Sequence, residues 1–502
     1  GLPVLPGILV SLLVAAALGY ALHALVYRPL RHAPPLAKTV ASVGVIIVLQ
    51  ATIALRFGSD ARPAKPILPD DTVRIFDGLV KADRLWLAGI VVLLAVGLWA
   101  LFRFTVFGLA ARAAAGNEKG AVLLGYSPDA LAARSWILSS VLTAFVGILA
   151  APMVTLSPTI LSLLVIPAIG AVLLARFESV AIATGAALAM GMVDQLMLLL
   201  LRKPQFQWLP SNGSRELVPL LVIVIALFVR GRSLPVRGST DVERLPRAPE
   251  NRRVGVLAGS LVVVFLVGQL VLGYEWRQAL TVSAIGTIVA LSLVVVTGFV
   301  GQISLAQMAI AGCGAFFLTR SAGEWGVPFP LAPVLAALVA AAVGLVIAIP
   351  AVRIRGVTLA LVTLSFAYAV DQLVFNNPDL VGISANAVAA PSPSLFGYKF
   401  GPLDQLDHRG VPSVPFGLFV GIIMILAILA VVNLRRSPTG RRMLAVRANE
   451  RAAASVGIDN ARTKLLAFAV SSFLAGLAGG LLAYQSAGRV EPTSFAIMTS
   501  LS

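Results

Sequence analysis

The stretch "NERAAASVGIDNARTKLLAFAVSSFLAGLAGGLLA", Asn449 to Ala483, joins a short charged segment to a long apolar one. No charged residue follows Lys464 within it, and an apolar run of roughly 20 residues is long enough to cross a bilayer as a helix. Such runs recur along the 502 residues, of which 58% are hydrophobic and only 12% are charged. Soluble proteins carry about 25% charged residues, and a β-barrel would show alternating segments of about ten residues. The sequence therefore predicts an all-α, polytopic helical membrane protein.

The apolar runs also predict where the helices cross the membrane. Two regions, near 155–175 and 297–315, are rich in Gly, Pro, Ser and Thr. We expect broken or re-entrant backbone there, which is tolerated where protein buries it. The predicted spans lie near residues 7–27, 38–56, 85–106, 131–153, 158–175, 179–201, 215–230, 254–273, 278–297, 303–320, 328–350, 356–375, 414–434 and 463–486.

The distribution of charge predicts which loops face the cytoplasm. The loop 57–84 has five acidic and five basic residues, and the loop 376–412 has three acidic and two basic ones. By contrast, 435–451 has six Arg and one Glu, and 230–253 has seven Arg and three acidic residues. Because Lys and Arg accumulate in cytoplasmic loops, we place the first two loops outside and the last two inside. The same rule accounts for the net charge of +17 without nucleic acid as a partner.

The charged segment has a close echo, "NEKGAVLLGYS", at Asn117 to Ser127, which lies 332 positions earlier. A second, weaker similarity joins "YRPLRHAPPLAKTVASVG", after the first span, to "AVRIRGVTLALVTLSF", after Pro350. The chain is therefore interpreted as two related halves that run in the same direction. The identical pairs at this offset include Gly108/Gly440, Asn117/Asn449, Glu118/Glu450, Ala121/Ala453, Gly125/Gly457, Ser139/Ser471, Ser140/Ser472, Gly147/Gly479 and Leu149/Leu481.

From this duplication we predict two membrane halves of about six to seven spans each, at 1–230 and 254–502, joined by a cytoplasmic linker at 231–253. The segment 278–320 has no counterpart before residue 7, and 155–230 has none after residue 490. We therefore expect the first half to lack its N-terminal helices and the second half its C-terminal ones.

The residue types of the repeated segment predict a short capped helix between two spans. Asn117 and Asn449 are good N-cap residues, and the Glu that follows each favours the positive end of a helix. Gly125 and Gly457 can end the helix in the left-handed conformation, and the Ser-Pro that follows the first of them can begin another. An amphipathic loop resting on anionic lipid would share this composition. It would not need the same residues in register in both halves, whereas a docking element for paired subunits would.

Several stretches carry a resemblance to a known family. "ERAAASVGI" resembles the EAA-type loop of ABC importer permeases. "TGFVGQISLAQMAIAGCGAF" (Thr297–Phe316) resembles the Gly-x-x-Gly-Gln-x-Ser-Leu-x-Gln pattern of permeases of the branched-chain amino acid uptake family, and "IRGVTLALVTLSFA" also matches it. The chain resembles the first and second permease subunits of that family fused in one chain and truncated at both ends. The matching positions of the pattern are Gly298, Gly301, Gln302, Ser304, Leu305, Gln307, Gly312 and Gly314.

This resemblance implies that the two halves form one translocation path in a bacterial inner membrane. It also implies that two cytoplasmic ATPase subunits dock on the repeated segments, which would act as coupling helices. An extracytoplasmic binding protein would deliver a branched-chain or related amino acid. The chain contains no Gly-Lys dipeptide and hence no P-loop. We therefore expect ATP on partner subunits, and no cofactor or catalytic residue on this chain. The three His and the lone Cys313 show no metal-ligand spacing. The resemblance assigns ATPase coupling to Asn117, Glu118, Ala121, Gly125, Asn449, Glu450, Ala453 and Gly457.

The chain departs from the family pattern at two places in the first half. "ARFES" (Ala175–Ser179) stands where related permeases have a glycine-rich turn. "NEKGAVLLGYS" is also a poorer match to the EAA-type loop than its C-terminal partner. We therefore expect the two ATPase contacts to be unequal.

Polar residues within or beside the predicted spans are candidates for the substrate path. A charged side chain at the bilayer centre costs at least about 2.5–3.5 kcal/mol, which draws attention to Asp194 in "MVDQLM". Gln side chains can hydrogen-bond between helices or line a path, and the free backbone groups of a broken segment could meet a zwitterionic amino acid. Hydrogen bonding between helices is the simpler explanation for Asp194. The candidates are Gln50, Asp194, Gln302, Ser304 and Gln307.

Two other functions are compatible with a polytopic membrane protein. An ion-gradient-driven secondary transporter would predict a buried ion site with charged partners, for which Asp194 is the only candidate. A structural or signalling protein would leave the duplicated cytoplasmic helix unexplained. Because urea, short amides and other amino acids use related permeases, the sequence leaves the substrate open within that range.

Overall fold

The computed structural model describes residues 4–31, 33, 35–58, 64, 67–69, 71–75, 78–153, 156, 164–175, 179–201, 203, 205, 217–222, 254–352, 357–375, 391–402 and 414–486. Within the chain two compact units are distinguished, 1–192 and 193–502. The predicted linker, 231–253, and the middle of the "ARFES" stretch, 176–178, lie outside the described residues. The division into halves at 1–230 and 254–502 stays a prediction.

The first unit consists of helices and one small antiparallel hairpin. The hairpin pairs Thr72 with Lys81, inside the loop that the charge distribution places outside the cell. The last helix, α8, runs beyond the end of the unit. The elements are α1 (Val4–Leu22, continued by a π-helical turn at His23–Tyr27), α2 (Pro35–Phe57), β1 (Thr72–Ile75), β2 (Gly78–Lys81), α3 (Ala82–Phe104), α4 (Val106–Gly116), α5 (Glu118–Leu123), α6 (Pro128–Ala150), α7 (Val165–Leu174) and α8 (Val180–Leu201).

The second unit repeats this mixture of long and short helices. Its hairpin pairs Ser394 with Lys399, again in a loop that the charges place outside. The elements are α9 (Val254–Val271), α10 (Tyr274–Leu293, continued by a π-helical turn at Val294–Phe299), α11 (Gln307–Gly323), α12 (Leu331–Ala351), α13 (Val357–Val370, continued by a π-helical turn at Asp371–Phe375), β3 (Ser394–Leu395), β4 (Tyr398–Lys399), α14 (Val414–Arg436), α15 (Pro438–Ala448), α16 (Glu450–Ser455) and α17 (Asn460–Gln485).

The prediction of a polytopic helical membrane protein is confirmed. Among the described residues, nine helices are long and apolar enough to cross a bilayer. The predicted break near 297–315 is also confirmed, because the backbone leaves the helix after Phe299 and re-enters it at Gln307. The predicted span 303–320 therefore begins later than expected. The predicted spans at 158–175 and 215–230 are described only as helix over 165–174 and 217–222.

The repeat recognised at an offset of 332 residues is reproduced in the helix boundaries. Helices α3, α4 and α5 and their counterparts α14, α15 and α16 begin and end at positions separated by that offset, and α6 and α17 begin at it. The caps repeat too, since Thr105 accepts a hydrogen bond from the backbone N–H of Gly108 at 3.2 Å, and Ser437 accepts one from that of Gly440 at 3.1 Å. The two copies of the repeat therefore have the same sequence of helices and helix caps.

Helix α17 is the centre of the second unit, where it packs against α10, α11 and α12. Small residues allow this close approach, as they do in membrane bundles generally. A Cβ atom on Gly476 would overlap Ala340 of α12, and one on Gly479 would overlap the carbonyl oxygen of Ala311 of α11. Glycine at these two positions thus sets how near the helices lie.

The same helix pairing occurs in the first unit between α1 and α6. A Cβ atom on Gly19 would overlap Ser140, just as one on Gly344 would overlap Ser472. The two serines are an identical pair of the repeat, so α1 corresponds to α12. The ring of Tyr27 stacks on that of Trp136 with centroids 4.4 Å apart, which adds a contact near the end of α1.

The glycine pair Gly147 and Gly479 provides a test of this packing. We expect Gly479→Ala to lower the free energy of unfolding by about 1–3 kcal/mol, the usual cost of overpacking a tight interface. Gly147→Ala meets no described atom within 4 Å of the new Cβ, so it should be neutral or raise stability by up to about 1 kcal/mol through helix propensity. Thermal unfolding of both purified variants in detergent compares them. Equal midpoints would contradict the role of Gly479.

Candidate functional site

The repeated segment, which the charge distribution places in the cytoplasm, forms a capped six-residue helix in both units, as predicted. The side chain of Asn117 accepts a hydrogen bond from the backbone N–H of Gly120 at 2.9 Å. The side chain of Asn449 accepts from the N–H groups of Arg451 and Ala452 at 3.0 and 3.2 Å. Each asparagine thereby satisfies backbone donors that the first turn of a helix leaves free.

Each of these short helices ends in the same glycine turn. Gly125 and Gly457 have φ angles of +81° and +83°, in the left-handed region that glycine adopts without a steric cost. The N–H of Gly125 donates to the carbonyl of Val122, and that of Gly457 donates to the carbonyl of Ala454. The next N–H in each unit donates to the carbonyl of Ala121 or Ala453. This pair of bonds is the Schellman motif, so both segments stop after one and a half turns or so.

The two helices present different surfaces on the side that faces away from the protein. Leu123, the last residue of α5, and the following Leu124 are 87% and 72% accessible. At the matching positions of the second unit stand Ser455 and Val456, of which Val456 is 75% accessible. Ala121 and Ala453 face inward and are buried. The first surface is therefore larger and more apolar than the second.

The first helix is anchored by an exposed cluster of charges. The guanidinium of Arg31, which follows α1, forms ion pairs with Glu118 and, at 3.1 Å, with Asp129 at the start of α6. The side chains of Arg31 and Glu118 remain 37% and 44% accessible. Exposed ion pairs of this kind contribute little to stability. The cluster therefore fixes the orientation of α5 but adds little to the free energy of folding.

The second helix is anchored by a buried ion pair instead. The ammonium of Lys464 on α17 lies 3.0 Å from the carboxylate of Glu450, and the two side chains are only 1% and 12% accessible. The same ammonium donates to the carbonyl of Val352 at 3.3 Å, where α12 has ended. The side-chain amide of Asn460 donates to the backbone carbonyl of Glu450 at 2.8 Å. Glu450 thus points toward the membrane helices rather than away from them.

Lys464 is a site residue that the sequence reasoning missed. It lies at the beginning of an apolar span, where a solvated lysine would be unremarkable. The signal that could have revealed it is the repeat, since Ala132 stands at the matching position of the first half and Pro128 at that of Asn460. Both polar residues that hold Glu450 are therefore specific to the second half.

The broken segment 300–306 follows the π-helical turn at the end of α10. Gly301 has a φ of +74°, and its N–H donates to the carbonyl of Thr297 at 3.1 Å. The N–H of Gln302 donates to the carbonyl of Val296 at 3.1 Å. Further along, the N–H of Leu305 donates to the hydroxyl of Thr363 on α13 at 2.9 Å. Side chains and local turns thus take over the hydrogen bonds that a helix would have made.

Three of the five predicted path residues, Gln302, Ser304 and Gln307, lie in or beside this segment, and all three are buried. The amide of Gln307 donates to the hydroxyl of Ser471 at 3.2 Å, and that hydroxyl donates to the carbonyl of Ser292 at 2.7 Å. The side-chain oxygen of Gln302 has no hydrogen-bond partner among the described residues. This segment is therefore buried and polar, and the side-chain oxygen of Gln302 is available to accept a hydrogen bond.

The other two predicted path residues lie elsewhere. Gln50 is half-buried in α2 of the first unit. Asp194 is half-buried in α8, where the amide of the neighbouring Gln195 is 3.4 Å from its carboxylate. The place of Gln50 and Asp194 in a path stays a prediction.

Comparison with known proteins identifies relatives over both parts of the chain. A family model described as "Branched-chain amino acid transport system / permease component" matches residues 1–227 and 277–502. The high-affinity branched-chain amino acid transport system permease protein LivM of Escherichia coli (strain K12) is 33% identical over 258 residues, which cover 47% of this chain and 60% of that protein.

Two further relatives carry similar descriptions. The corresponding permease protein LivH of Salmonella typhimurium (strain LT2) is 28% identical over 156 residues, covering 28% of this chain and 48% of LivH. The permease protein BraD of Pseudomonas aeruginosa (strain PAO1) is 28% identical over 143 residues, covering 28% of this chain and 47% of BraD. The chain thus spans about three fifths or less of the length of these relatives. No solved structure gives a significant match.

The two glutamates allow a matched test of the anchors. We expect Lys464→Met to lower the free energy of unfolding by about 3–5 kcal/mol, because it leaves the carboxylate of Glu450 buried without its partner. The double variant Lys464→Met with Glu450→Gln should recover most of that loss. Glu118→Gln, which breaks only an exposed pair, should cost about 0–1 kcal/mol. Unfolding in detergent measures all three, and equal effects of Lys464→Met and Glu118→Gln would contradict the buried anchor.

Proposed function

The chain belongs to the branched-chain amino acid transport system permease family, and on that premise we propose that it is the membrane permease of an ATP-driven ABC importer. It would move branched-chain or related amino acids into the cytoplasm across a bacterial inner membrane. The observation that carries the proposal is the capped helix that begins after Asn117 and again after Asn449, with the same cap and the same terminating turn in both units. In this proposal the chain supplies the path and the docking surfaces, and separate subunits hydrolyse ATP.

We propose that two cytoplasmic ATPase subunits dock on α5 and α16. A short helix that buries one face in the permease and leaves the other exposed suits insertion into a groove of a partner. Exposed apolar side chains next to a charged rim are typical of such contacts. Because Leu123 and Leu124 are larger than Ser455 and Val456, the groove that receives α5 would be the deeper and more apolar of the two.

We propose that the substrate passes beside the broken segment 300–306. An amino acid carries an ammonium group and a carboxylate, and both need hydrogen-bond partners once they leave water. The free side-chain oxygen of Gln302 can accept a hydrogen bond from the ammonium, and broken membrane helices commonly offer backbone groups to such ligands. An extracytoplasmic binding protein would deliver the substrate from the opposite side.

Transport itself tests the proposed function. We expect the full chain, reconstituted in proteoliposomes with candidate ATPases and a leucine-loaded binding protein, to take up labelled leucine, isoleucine or valine only when ATP is hydrolysed. A non-hydrolysable ATP analogue is the control. Uptake driven by an ion gradient without any ATPase would contradict the proposal and support a secondary transporter.

Docking can be tested without transport. We expect Leu123→Asp and Val456→Asp each to weaken co-purification of the ATPases by at least about tenfold, since a buried apolar anchor is worth more than 1.4 kcal/mol. The control is Phe396→Asp, which changes another exposed apolar residue on the predicted outer side. Phe396 has a φ of +51°, where Asp is tolerated better than Phe, so the fold should persist. Unchanged co-purification of both coupling-helix variants would contradict the docking sites.

A further inference from the structure

A side-chain hydrogen bond links α15, the helix just before the coupling helix α16, to the π-helical turn just before the broken segment 300–306. Arg447 lies in the last turn of α15, two residues before the cap Asn449. Its guanidinium donates a hydrogen bond to the backbone carbonyl of Gly298, in the π-helical turn that ends α10. Arg447 is therefore next to the coupling helix α16 in the sequence, and its side chain contacts the turn that leads into the proposed path.

The carbonyl of Gly298 is one of those that a helix end leaves without a partner. The carbonyls of Val296 and Thr297 are taken by the N–H groups of Gln302 and Gly301. Arg447 takes the next one, and a cation at this end of a helix is also favoured by the helix dipole. The three bonds together define how the chain turns from α10 into the broken segment.

The stem of Arg447 also fits the turn itself. A Cβ atom on Gly301 would lie 3.1 Å from the Cγ atom of Arg447, so the arginine packs against the one residue of the turn that has a positive φ. Gln302, the residue with the spare acceptor, follows at once. A displacement of Arg447 would change the turn and hence the position of Gln302.

The two segments are not packed together along their whole length. Beside the contact of Arg447 with Gly301 lies an open depression of about 320 Å³, lined by Val300, Gly301, Gln302 and residues 446–450. A close-packed contact would resist relative movement, whereas this depression leaves room for it.

We infer that Arg447 is the positioning residue that couples movement of α16 to the broken segment and so to the proposed substrate path. The inference rests on the proposed function for what moves α16, but the mechanical link is a property of this chain alone. Ala115 stands at the matching position of the first half. The link is therefore built into the second coupling region and not the first.

The link can be tested on the full chain in lipid nanodiscs, with Ile303→Cys as a reporter and Cys313→Ala to remove the native thiol. Ile303 is buried, so a maleimide reaches the introduced thiol only when the segment opens. We expect Arg447→Met to raise the labelling rate about tenfold, the effect of losing a hydrogen bond to a charged donor. Arg447→Lys should raise it less, because an ammonium still donates to the carbonyl of Gly298. Arg442→Met, an exposed arginine of the same helix, should leave the rate unchanged.

A second readout separates positioning from simple support of the turn. ATP-loaded ATPases should change the labelling rate at position 303 in the parent and in Arg442→Met, but not in Arg447→Met, which should also import less substrate for each ATP hydrolysed. Equal labelling of Arg447→Met and Arg442→Met, or a nucleotide response that survives Arg447→Met, would overturn the inference. If the ATPases change the labelling rate of neither the parent nor any variant, the proposed function fails. If Arg447→Met nevertheless labels faster than Arg442→Met, the contact of Arg447 with the turn is still supported.

Discussion

Backbone N–H and C=O groups in a bilayer must find their hydrogen bonds within the protein, since hydrocarbon offers none. This constraint accounts for the long helices, and it also explains what happens where a helix stops. After Phe299 the carbonyls of α10 are taken by two N–H groups of the following turn and by Arg447, and the N–H of Leu305 is taken by Thr363. The broken segment is held by partners from α13 and α15, and its geometry therefore depends on where those helices lie.

Comparison of the two copies of the repeat shows which features depend on near neighbours in the sequence and which depend on other helices. The caps, the glycine turns and the helix boundaries repeat because they depend on residues only a few positions apart, and those residues are retained in both halves. The anchors differ because the partners differ: Glu118 pairs with Arg31 from a distant segment, whereas Glu450 pairs with Lys464 of the next helix, where the first half has Ala132. One coupling helix is oriented by an exposed charge cluster, and the other is tied to a buried lysine of α17. The ion pair of the short helix is thus exposed in the first unit and largely shielded from solvent in the second.

Much of the local architecture could be predicted from the sequence. The apolar runs indicated most of the spans, the Gly- and Ser-rich stretch indicated the break before Gln307, and Asn449 and Gly457 marked the limits of the coupling helix. The repeat marks Lys464 as a position that differs from Ala132, but it does not reveal its burial, because a lysine at the beginning of a span is usually solvated and only the contacts with Glu450 and Val352 show otherwise. The contact made by Arg447 could not be predicted either, since six arginines lie within residues 435–451 and the sequence does not distinguish among them.

Sequence by itself determined what depends on composition and on near neighbours: a polytopic helical membrane protein, a repeat at 332 positions, and two capped helices on one predicted side of the membrane. Tertiary structure decided which groups meet. It left the side chain of Glu450 12% accessible and that of Glu118 44% accessible, buried Gln302, Ser304 and Gln307 in or beside one broken segment, and set Gly479 against a neighbouring backbone, whereas no described atom lies within 4 Å of a Cβ on Gly147. The reason is physical, because caps and turns are satisfied within a few residues of the chain, whereas burial depends on how whole helices pack, including helices far apart in sequence such as α12 and α17.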